Sequence, residues 1–260
     1  SFLIKKKIQK GLGLSKARNI FTGAAPTPVA LIKWFARLGI TIQEAYAMTE
    51  NTCYSHVSFK SKINIGSVGQ ALPFCEVKFT DEKEILIKHD ALMDGYYKME
   101  QETNKTIIDG WLHTGDEGLI DSNGYLTITG RVKDLFKTSK GKYIAPSKIE
   151  MKLSVNKNIE QVCVVGIALP QPIAIIVLSE RGKGKSRLDL LVSLKKTLDI
   201  VNLKLESYEK IHNLVVVQED WTVENKLLTP TMKIKRNAIE KLYKNCYDIW
   251  YEGDRVLVID

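Results

Sequence analysis

Apolar residues recur every three to four positions in two stretches of the first fifty residues, and a short run of β-type residues follows each stretch. The spacing is typical of amphipathic helices, and the runs are typical of short strands. Thr27 and Pro28 form a helix start, an N-cap followed by proline at the first helical position, and Gly39 is a helix stop. The pattern predicts, in chain order, a helix over residues 1–20 that loosens at Gly11 and Gly13, a strand at 20–22, a helix at 27–38 and a strand at 40–45.

From residue 66 to residue 130 the pattern changes to short β runs separated by turns. The sequence Asp-Ser-Asn-Gly at residues 121–124 is a strong hairpin signal, because Asn-Gly favours the tight turns that join antiparallel strands. The predicted strands include residues 76–80, 84–88 and 125–129. This part of the chain is therefore expected to form a small antiparallel, barrel-like sheet.

After Asp134 the composition shifts to alternating strands and helices. The predicted strands are residues 161–168, 173–179 and 214–217, and the predicted helices are residues 186–203 and a final helix from about residue 234. The boundary is placed at Lys133 and Asp134, which gives domains of residues 1–134 and 135–260. The fold class is α+β, without internal repeats or low-complexity runs.

Residues 162–179 carry no charge and are long enough to raise the question of a membrane span. Pro170 and Pro172 interrupt the stretch, and its halves are rich in Val and Ile. Two buried strands joined by a tight turn explain it better. The start of the chain has lysines but no sustained apolar segment after them, so no signal peptide is expected.

The net charge of +8 would suit nucleic acid, an anionic membrane surface, or small polyanions such as ATP and coenzyme A. The lysines are spread along the 260 residues, which argues against a nucleic-acid partner. The cysteines lie far apart, without a C-x-x-C pair or a histidine at metal-ligand spacing. They indicate a reduced, cytoplasmic protein.

Residues 110–150 bring together the residue types needed to hold a nucleotide. Asp116 follows Gly115 in a predicted turn, so its carboxylate is able to accept hydrogen bonds from two neighbouring ribose hydroxyls. Arg131 lies fifteen residues further on and carries a fixed fork of donors for the same sugar or its phosphate. The alternative interpretation is an ordinary surface turn with a solvated aspartate.

Several spaced motifs together resemble a known family. The string Trp-Leu-His-Thr-Gly-Asp at residues 111–116, Gly-Arg-x-Lys-Asp at 130–134 and the last motif at 228–236 are similar to those of adenylate-forming (AMP-binding) enzymes, in particular acyl-CoA synthetases of the long-chain fatty acid type. The resemblance extends over nearly the whole chain. It implies that residues 1–134 end the large AMP-binding domain, with an α/β segment and a small β sheet. Residues 135–260 would be its mobile small α+β domain, with the hinge at Asp134.

The resemblance also assigns an adenine slot. Gly23, Ala24 and Ala25 have almost no side chains, so a flat base is able to lie against them, and the ring of Tyr46 would cover its other face. The plainer interpretation is a tight turn and a core tyrosine. On the same resemblance, Asp116 holds both ribose hydroxyls and Arg131 supports the sugar.

Thr49 and Glu50 match the Thr-Glu pair of the family. There the hydroxyl contacts the α-phosphate and the carboxylate suits Mg²⁺, a hard cation that prefers oxygen ligands. Ala47 stands where most relatives have glycine, which leaves the details of the substrate less defined. The alternative is that Glu50 caps or pairs locally.

The last motif makes Lys233 the catalytic lysine, with Lys235 as the rival by proximity. Its charge would bridge the attacking carboxylate and the α-phosphate in the transition state. Met232 stands where the usual form of the motif has glycine. The loop with Lys140 and Gly141 would serve the coenzyme A side, although a lysine-rich turn is often only solvated.

The resemblance implies an acid–thiol ligase that uses ATP, Mg²⁺ and coenzyme A to convert a carboxylic acid, with a long-chain fatty acid as first choice, to an acyl-adenylate and then to acyl-CoA. The Ser/Thr/Gly-rich loop ending in Pro-Lys that grips the ATP phosphates in this family does not occur in these residues. The chain is therefore expected to be the carboxyl-terminal part of a longer enzyme and inactive by itself. The alternatives are a non-catalytic module that binds nucleotide or coenzyme A, and an adenylating domain that loads a carrier protein. The expected location is cytoplasmic, with peripheral contact at the inner face of a membrane left open.

Overall fold

The computed structural model describes residues 2–25 and 27–259. The chain divides into two compact units, Ser1–Val132 and Lys133–Asp260, which we call the first and the second unit. Across the described residues no helix combines the length and the apolar composition that a membrane crossing requires.

The first unit begins with two helices around a small sheet. The helices are α1 (Phe2–Gly11) and α2 (Val29–Arg37), and the strands are β1 (Phe21–Thr22), β2 (Gln43–Tyr46), β3 (His56–Val57) and β4 (Gln70–Ala71). β1 and β2 pair in parallel, and the pairs β2–β3 and β3–β4 are antiparallel. Ile32 of α2 packs with Ile40 and Ile42, which lead into β2. This packing holds the start of β2, the strand whose last residue is Tyr46.

A second, antiparallel sheet completes the first unit. Its elements are β5 (Glu76–Phe79), β6 (Glu84–Lys88), helix α3 (Glu100–Thr106), β7 (Ile107–Ile108), β8 (Trp111–Ile120) and β9 (Leu126–Arg131). The strand order is β5-β6-β8-β7, and β9 also pairs with β8. Ile85, Ile87 and Leu126 form its core. The hairpin predicted at residues 121–124 joins β8 to β9, with Gly124 in the left-handed region at φ +80°.

The second unit starts with a short hairpin and then builds a sheet covered on both faces. Its strands are β10 (Phe136–Lys137), β11 (Tyr143–Ile144), β12 (Ile159–Val165), β13 (Ile173–Leu178), β14 (Leu214–Val217) and β15 (Val256–Val258). Its helices are α4 (Pro146–Leu153), α5 (Glu180–Lys183), α6 (Arg187–Asn202), α7 (Arg236–Tyr243) and α8 (Tyr247–Tyr251). The order β12-β13-β14-β15 has one antiparallel pair, β12–β13, followed by two parallel pairs.

Alternate residues of the central strands enter two different cores. Ala174 and Ile176 of β13 pack with α4 and α6, whereas Ile175 and Val177 pack with the residues around α7 and α8. Because both faces are buried, these strands are continuous apolar runs without polar alternation. This explains the uncharged residues 162–179, and the prediction of two strands joined by a turn is confirmed.

Three predicted details of the helices are wrong. The first helix ends at Gly11 and does not extend to residue 20. The second helix begins at Val29 with Pro28 as its N-cap residue, so Thr27 is not the cap. The Pro28 carbonyl accepts the first helical amides, those of Leu31 and Ile32, and the Thr27 hydroxyl instead lies 2.8 Å from the Thr22 hydroxyl.

Candidate functional site

The most definite cluster in the first unit is centred on the Asp116 carboxylate. Tyr46 donates its hydroxyl to Asp116 Oδ2 at 2.8 Å, and Arg131 Nε lies 3.0 Å from Oδ1. Asp116 and Arg131 are register partners on β8 and β9, which explains why fifteen residues of sequence separate two contacting side chains. The carboxylate side chain is 15% exposed and the arginine 58%. A half-buried carboxylate is therefore paired with an exposed guanidinium.

Electrostatics reinforce this arrangement. Burial, followed by the charge of Asp116, raises the pKa of Tyr46 well above its ordinary value. Tyr46 therefore remains a neutral donor to the carboxylate throughout the physiological range. The sequence prediction named these three residues as nucleotide contacts, and the fold brings all three together.

The predicted turn at Gly115 and Asp116 is a bulge inside a long strand. Glu84 pairs with Glu117 and Leu86 pairs with His113, so residues 114–116 of β8 lie opposite the single residue Ile85. Gly115 takes the left-handed conformation, φ +70°, that such a bulge requires. The prediction of a turn was wrong because a bulge and a turn share the same glycine signal.

Glu84 holds this bulge in place and was not foreseen. Its Oε1 accepts the Gly115 amide at 2.8 Å, and its Oε2 lies 2.9 Å from His113 Nδ1. The Thr114 hydroxyl, buried on the other side, donates to the Ile85 carbonyl at 2.7 Å and accepts the Asp116 amide at 3.1 Å. The position of Glu84 at the start of β6 was predicted, but its pairing partner across the sheet carries no local signal.

The predicted adenine slot lies at the ends of two neighbouring strands. Gly23, Ala24 and Ala25 follow β1 directly and are exposed, and Ala24 is left-handed at φ +64°. A methyl group built on Gly23 would lie 3.1 Å from the Ala45 carbonyl oxygen. Gly23, directly after the end of β1, therefore lies next to Ala45, the residue that precedes Tyr46. The role of the small residues toward a base stays a prediction.

Thr49 and Glu50 lie on a short 3-10 turn, Thr49–Asn51, directly after β2. Glu50 Oε1 accepts the Tyr96 hydroxyl at 2.8 Å, a contact that the sequence did not indicate. Asn51 is fully buried and its Oδ1 accepts the Met48 amide at 3.0 Å, which anchors the turn. Thr49 is exposed at the surface.

The residues present fit Mg²⁺ only when substrate phosphates supply other ligands. Within residues 2–25 and 27–259 no three His, Cys, Asp or Glu side chains are grouped so that they could hold a metal ion. Mg²⁺ is commonly held by one or two carboxylates together with phosphate oxygens and water. Glu50, which accepts the Tyr96 hydroxyl, would be one such carboxylate, and this role stays a prediction.

In the second unit Lys233 is exposed on a tight turn. The Met232 amide donates to the Thr229 carbonyl at 2.8 Å, and Leu228 and Ile234 form an antiparallel bridge across the turn. Thr229 also binds both backbone groups of Lys233, its hydroxyl accepting the amide at 3.1 Å and its amide donating to the carbonyl at 2.8 Å. We call residues 228–234 the lysine turn.

Met232 has φ +62°, so the chain needs a left-handed residue directly before Lys233. The Met232 side chain is 64% exposed, so its burial does not compensate for the strain of this conformation. Glycine, which the usual form of the motif has here, adopts this conformation without strain.

Gly141 closes the hairpin between β10 and β11. Its φ is +76° and its amide donates to the Thr138 carbonyl at 2.9 Å. Lys140 and Gly141 are exposed. The tip of the hairpin is therefore exposed, although the Ser139 amide at its base donates to the Leu169 carbonyl at 2.9 Å. Its role toward coenzyme A stays a prediction.

Arg236 is the residue of the last motif whose role the sequence did not indicate. Its guanidinium is buried, with Nη2 2.7 Å from Glu150 Oε1 and Nη1 donating to the Val164 carbonyl at 2.7 Å. Asp134, the predicted hinge residue, lies 3.7 Å from Arg236 Nε. A signal was available, since an arginine at the first position of a helix is unfavourable toward the helix dipole unless an anion compensates it.

Two family models match the chain: "AMP-binding enzyme" over residues 3–97 and "AMP-binding enzyme C-terminal domain" over residues 133–255. The long-chain-fatty-acid–CoA ligase FadD15 of Mycobacterium bovis is 30% identical over 269 residues, covering 97% of this chain and 45% of that protein. Long-chain-fatty-acid–CoA ligase 5 of Rattus norvegicus is 33% identical over 282 residues, covering 96% and 41%. The chain thus spans less than half the length of these relatives.

Solved structures share the fold. The anthranilate CoA ligase AuaEII in complex with anthranoyl-AMP matches with a TM-score of 0.76 at 22% identity, covering 90% of this chain and 46% of that chain. The adenylation domain of the carboxylate reductase GR01_22995 from Mycobacterium chelonae matches with a TM-score of 0.77 at 23% identity, covering 97% and 41%. With both family models matched in order and the fold shared, the chain belongs to the adenylate-forming, AMP-binding enzymes.

Proposed function

We propose that this chain supplies the ribose site and the catalytic lysine of an ATP-dependent acid–thiol ligase, whose remaining parts lie in a longer protein. The observation that carries the proposal is the Asp116 carboxylate held between Tyr46 and Arg131. A carboxylate accepts about four hydrogen bonds, and a ribose presents two adjacent hydroxyls. These hydroxyls would join the present donors or replace one of them.

The first half-reaction forms an acyl-adenylate. A carboxylate oxygen of the acid attacks the α-phosphorus of ATP, the bond to the bridging oxygen breaks, and pyrophosphate leaves. Lys233, exposed on the lysine turn, is proposed to stabilise the negative charge that builds on the reacting oxygens. Thr49 would contact the α-phosphate, and Glu50 would hold Mg²⁺. Mg²⁺, when bound, supplies neutralisation of the phosphate charge.

The second half-reaction forms a thioester. The thiol of coenzyme A attacks the acyl carbon, AMP leaves with the electron pair of the broken bond, and the thiol proton passes to solvent. We assign the hairpin of Lys140 and Gly141 to the path of the thiol, and Asp134 to the hinge between the half-reactions. These assignments rest on the family motifs.

A long-chain fatty acid is the proposed substrate, because the relatives cited above are named long-chain-fatty-acid–CoA ligases. A cytoplasmic location, with peripheral contact at the inner face of a membrane, belongs to the same proposal and rests on the resemblance alone. The second candidate is an adenylating domain that loads a carrier protein, which the match to a carboxylate reductase adenylation domain favours. The third is a binding module without catalysis.

The test uses the whole reading frame that contains this chain. The purified protein is incubated with ATP, Mg²⁺ and palmitate, first without and then with coenzyme A. We expect palmitate-dependent exchange of pyrophosphate into ATP, and palmitoyl-CoA with AMP once coenzyme A is added. Exchange without thioester would favour the carrier-loading candidate. ATP binding without exchange, over a panel of carboxylic acids, would favour the binding module.

A further inference from the structure

Arg236 joins three segments of the second unit through one buried guanidinium. It is the first residue of α7, and it contacts Glu150 on α4 and Val164 on β12. Glu150 Oε1 accepts the Val164 amide at 2.7 Å as well, so the three residues close a ring of hydrogen bonds. The side chains of Arg236 and Glu150 are only 9% and 13% exposed. We call this ring the Arg236 anchor.

The buried surroundings of the Arg236 anchor disfavour the charged form of Glu150. Burial raises the pKa of Glu150, while the Arg236 guanidinium opposes that rise. A buried ion pair is often no more stable than an apolar pair of the same size, so stability alone is a weak explanation for it. The Arg236 guanidinium does fix distances and angles, because Nη1 donates to the Val164 carbonyl and Nη2 to Glu150.

The Arg236 anchor lies at the base of the lysine turn. Lys233 precedes Arg236 by three residues, and between them the Lys235 amide donates to the Leu227 carbonyl at 2.8 Å. Residues 230–233 of the turn are exposed, Leu228 at its base is buried, and hydrogen bonds to Thr229 close the turn. Whatever orients Arg236 therefore also sets the direction in which the lysine turn leaves the core.

The third nitrogen of Arg236 distinguishes this cluster from an ordinary buried ion pair. Nε is buried and has no hydrogen-bond acceptor among the described residues, and it lies 3.7 Å from Asp134 Oδ2. That separation is within the range of an ion pair but longer than a hydrogen bond. The hinge carboxylate is thus held by a weak contact, while Glu150 and Val164 are held by short ones.

We infer that Arg236 is a positioning residue, which orients the lysine turn through its short contacts to Glu150 and Val164. The inference rests on the proposed function where it concerns catalysis, and on the contacts alone where it concerns the turn. It predicts that loss of the fork loosens the lysine turn without unfolding the sheet. It also predicts that the adenylation step suffers more than the thioester step.

The first test is amide hydrogen exchange in the whole protein carrying Arg236→Lys, which keeps the charge but removes the fork. The amides of residues 232–235 are expected to exchange at least about tenfold faster, since opening of the turn becomes easier. The amides of β14 should keep their wild-type rates. Arg255→Lys is the matched control, because Arg255 makes an exposed ion pair with Asp199 at 2.9 Å. Unchanged exchange at residues 232–235 would overturn the inference whether or not the protein is a ligase.

The second test separates the half-reactions. In Arg236→Lys we expect kcat for pyrophosphate exchange to fall about tenfold to a hundredfold, because a small misplacement of a catalytic group is costly. The KM for ATP and the rate of thioester formation from synthetic acyl-adenylate should stay within about twofold of wild type. A proportional loss in both half-reactions would indicate only a smaller folded fraction and would overturn the positioning role. If the wild-type protein showed no pyrophosphate exchange, the proposed function would be refuted. The hydrogen-exchange test would still decide whether Arg236 orients the lysine turn.

Discussion

Tyr46 donates its hydroxyl to the carboxylate of Asp116 at 2.8 Å, although seventy positions of sequence separate the two residues. The contact links the end of β2, in the small sheet, to β8, in the second sheet of the same unit. It therefore joins the predicted adenine slot to the predicted ribose site.

Asp116→Asn should weaken nucleotide recognition while leaving the fold intact. The amide keeps the size of the side chain but loses the negative charge that pairs with Arg131 and that is proposed to accept the ribose hydroxyls. Hydrogen bonds to a charged group contribute about 1.5–3 kcal/mol, so the KM for ATP should rise roughly tenfold to a hundredfold. Pyrophosphate exchange in the whole protein measures this. Asp81→Asn, at an exposed turn, is the matched control, and an equal effect there would refute the assignment.

Lys233→Ala should reduce acyl-adenylate formation by about a hundredfold or more, because it removes a charge aimed at the transition state. Lys235→Ala, two residues away and equally exposed, should change it by less than about threefold. Single-turnover formation of the adenylate measures both variants. A larger loss in Lys235→Ala would transfer the catalytic role to Lys235.

Met232→Gly should relieve backbone strain. A left-handed conformation costs an L-residue about 1–2 kcal/mol, and glycine gives back about 0.5–1 kcal/mol of this through its greater freedom in the unfolded chain. The second unit should therefore become more stable by up to about 1 kcal/mol. Met232→Val should be destabilising, since β-branched residues tolerate positive φ poorly. Urea unfolding measures both, and a destabilised glycine variant would show that Met232 makes a contact worth more than the strain.

His56 should make the first unit less stable in mild acid. It is 2% exposed, and burial lowers its pKa to about 4 from an ordinary value of 6.5. As the pH falls below 6.5 the unfolded chain binds a proton that the folded chain refuses until about pH 4. The free energy of unfolding should therefore drop by up to about 3 kcal/mol over that window and then level off.

The control for this prediction is His56→Asn, whose amide is able to keep the contact that His56 Nδ1 makes with the Ser55 hydroxyl at 2.7 Å. The variant should lose less stability than the wild type between pH 6.5 and pH 4. Urea unfolding of the first unit at several pH values gives the comparison. Parallel curves for the two proteins would mean that His56 does not carry the effect.

The 260-residue chain should bind ATP weakly by itself. Its sequence lacks the Ser/Thr/Gly-rich Pro-Lys loop that holds the ATP phosphates in related enzymes. The ribose site alone offers two hydroxyl contacts to a charged group, at about 1.5–3 kcal/mol each, which falls short of the roughly 8 kcal/mol that micromolar affinity requires. Isothermal titration calorimetry is expected to show no saturable binding at micromolar ATP, and micromolar affinity would contradict this.

Continuous or clearly bounded apolar runs were predictable. β6 and β14 have the predicted limits, and the predicted helix over residues 186–203 forms as α6 (Arg187–Asn202). These segments are buried along their length or on one face, so local sequence determines them. By contrast α4 begins at Pro146 in a stretch with weak apolar periodicity and was not predicted.

The site was predictable only where a motif marks it. Asp116 and Arg131 were assigned to one site because both stand in short recognisable strings, and the fold does bring them together. Glu84 and Tyr96, which orient the bulge and Glu50, were missed because their roles arise from strand pairing and loop packing. Arg236 lies inside a motif, but its buried partners come from other elements of the fold.

The sheet of the second unit is covered on both faces, and this has a consequence for protein engineering. Its interior residues tolerate few changes of volume, because each one is packed in one of two separate cores. The tips of the lysine turn (residues 230–233) and of the Gly141 hairpin (residues 139–143), in contrast, are exposed, whereas Leu228 and Thr138 at their bases are buried. Only these tips are therefore exchangeable segments, and turns of the same length from related sequences should be transplantable here when the buried residues at their bases are kept.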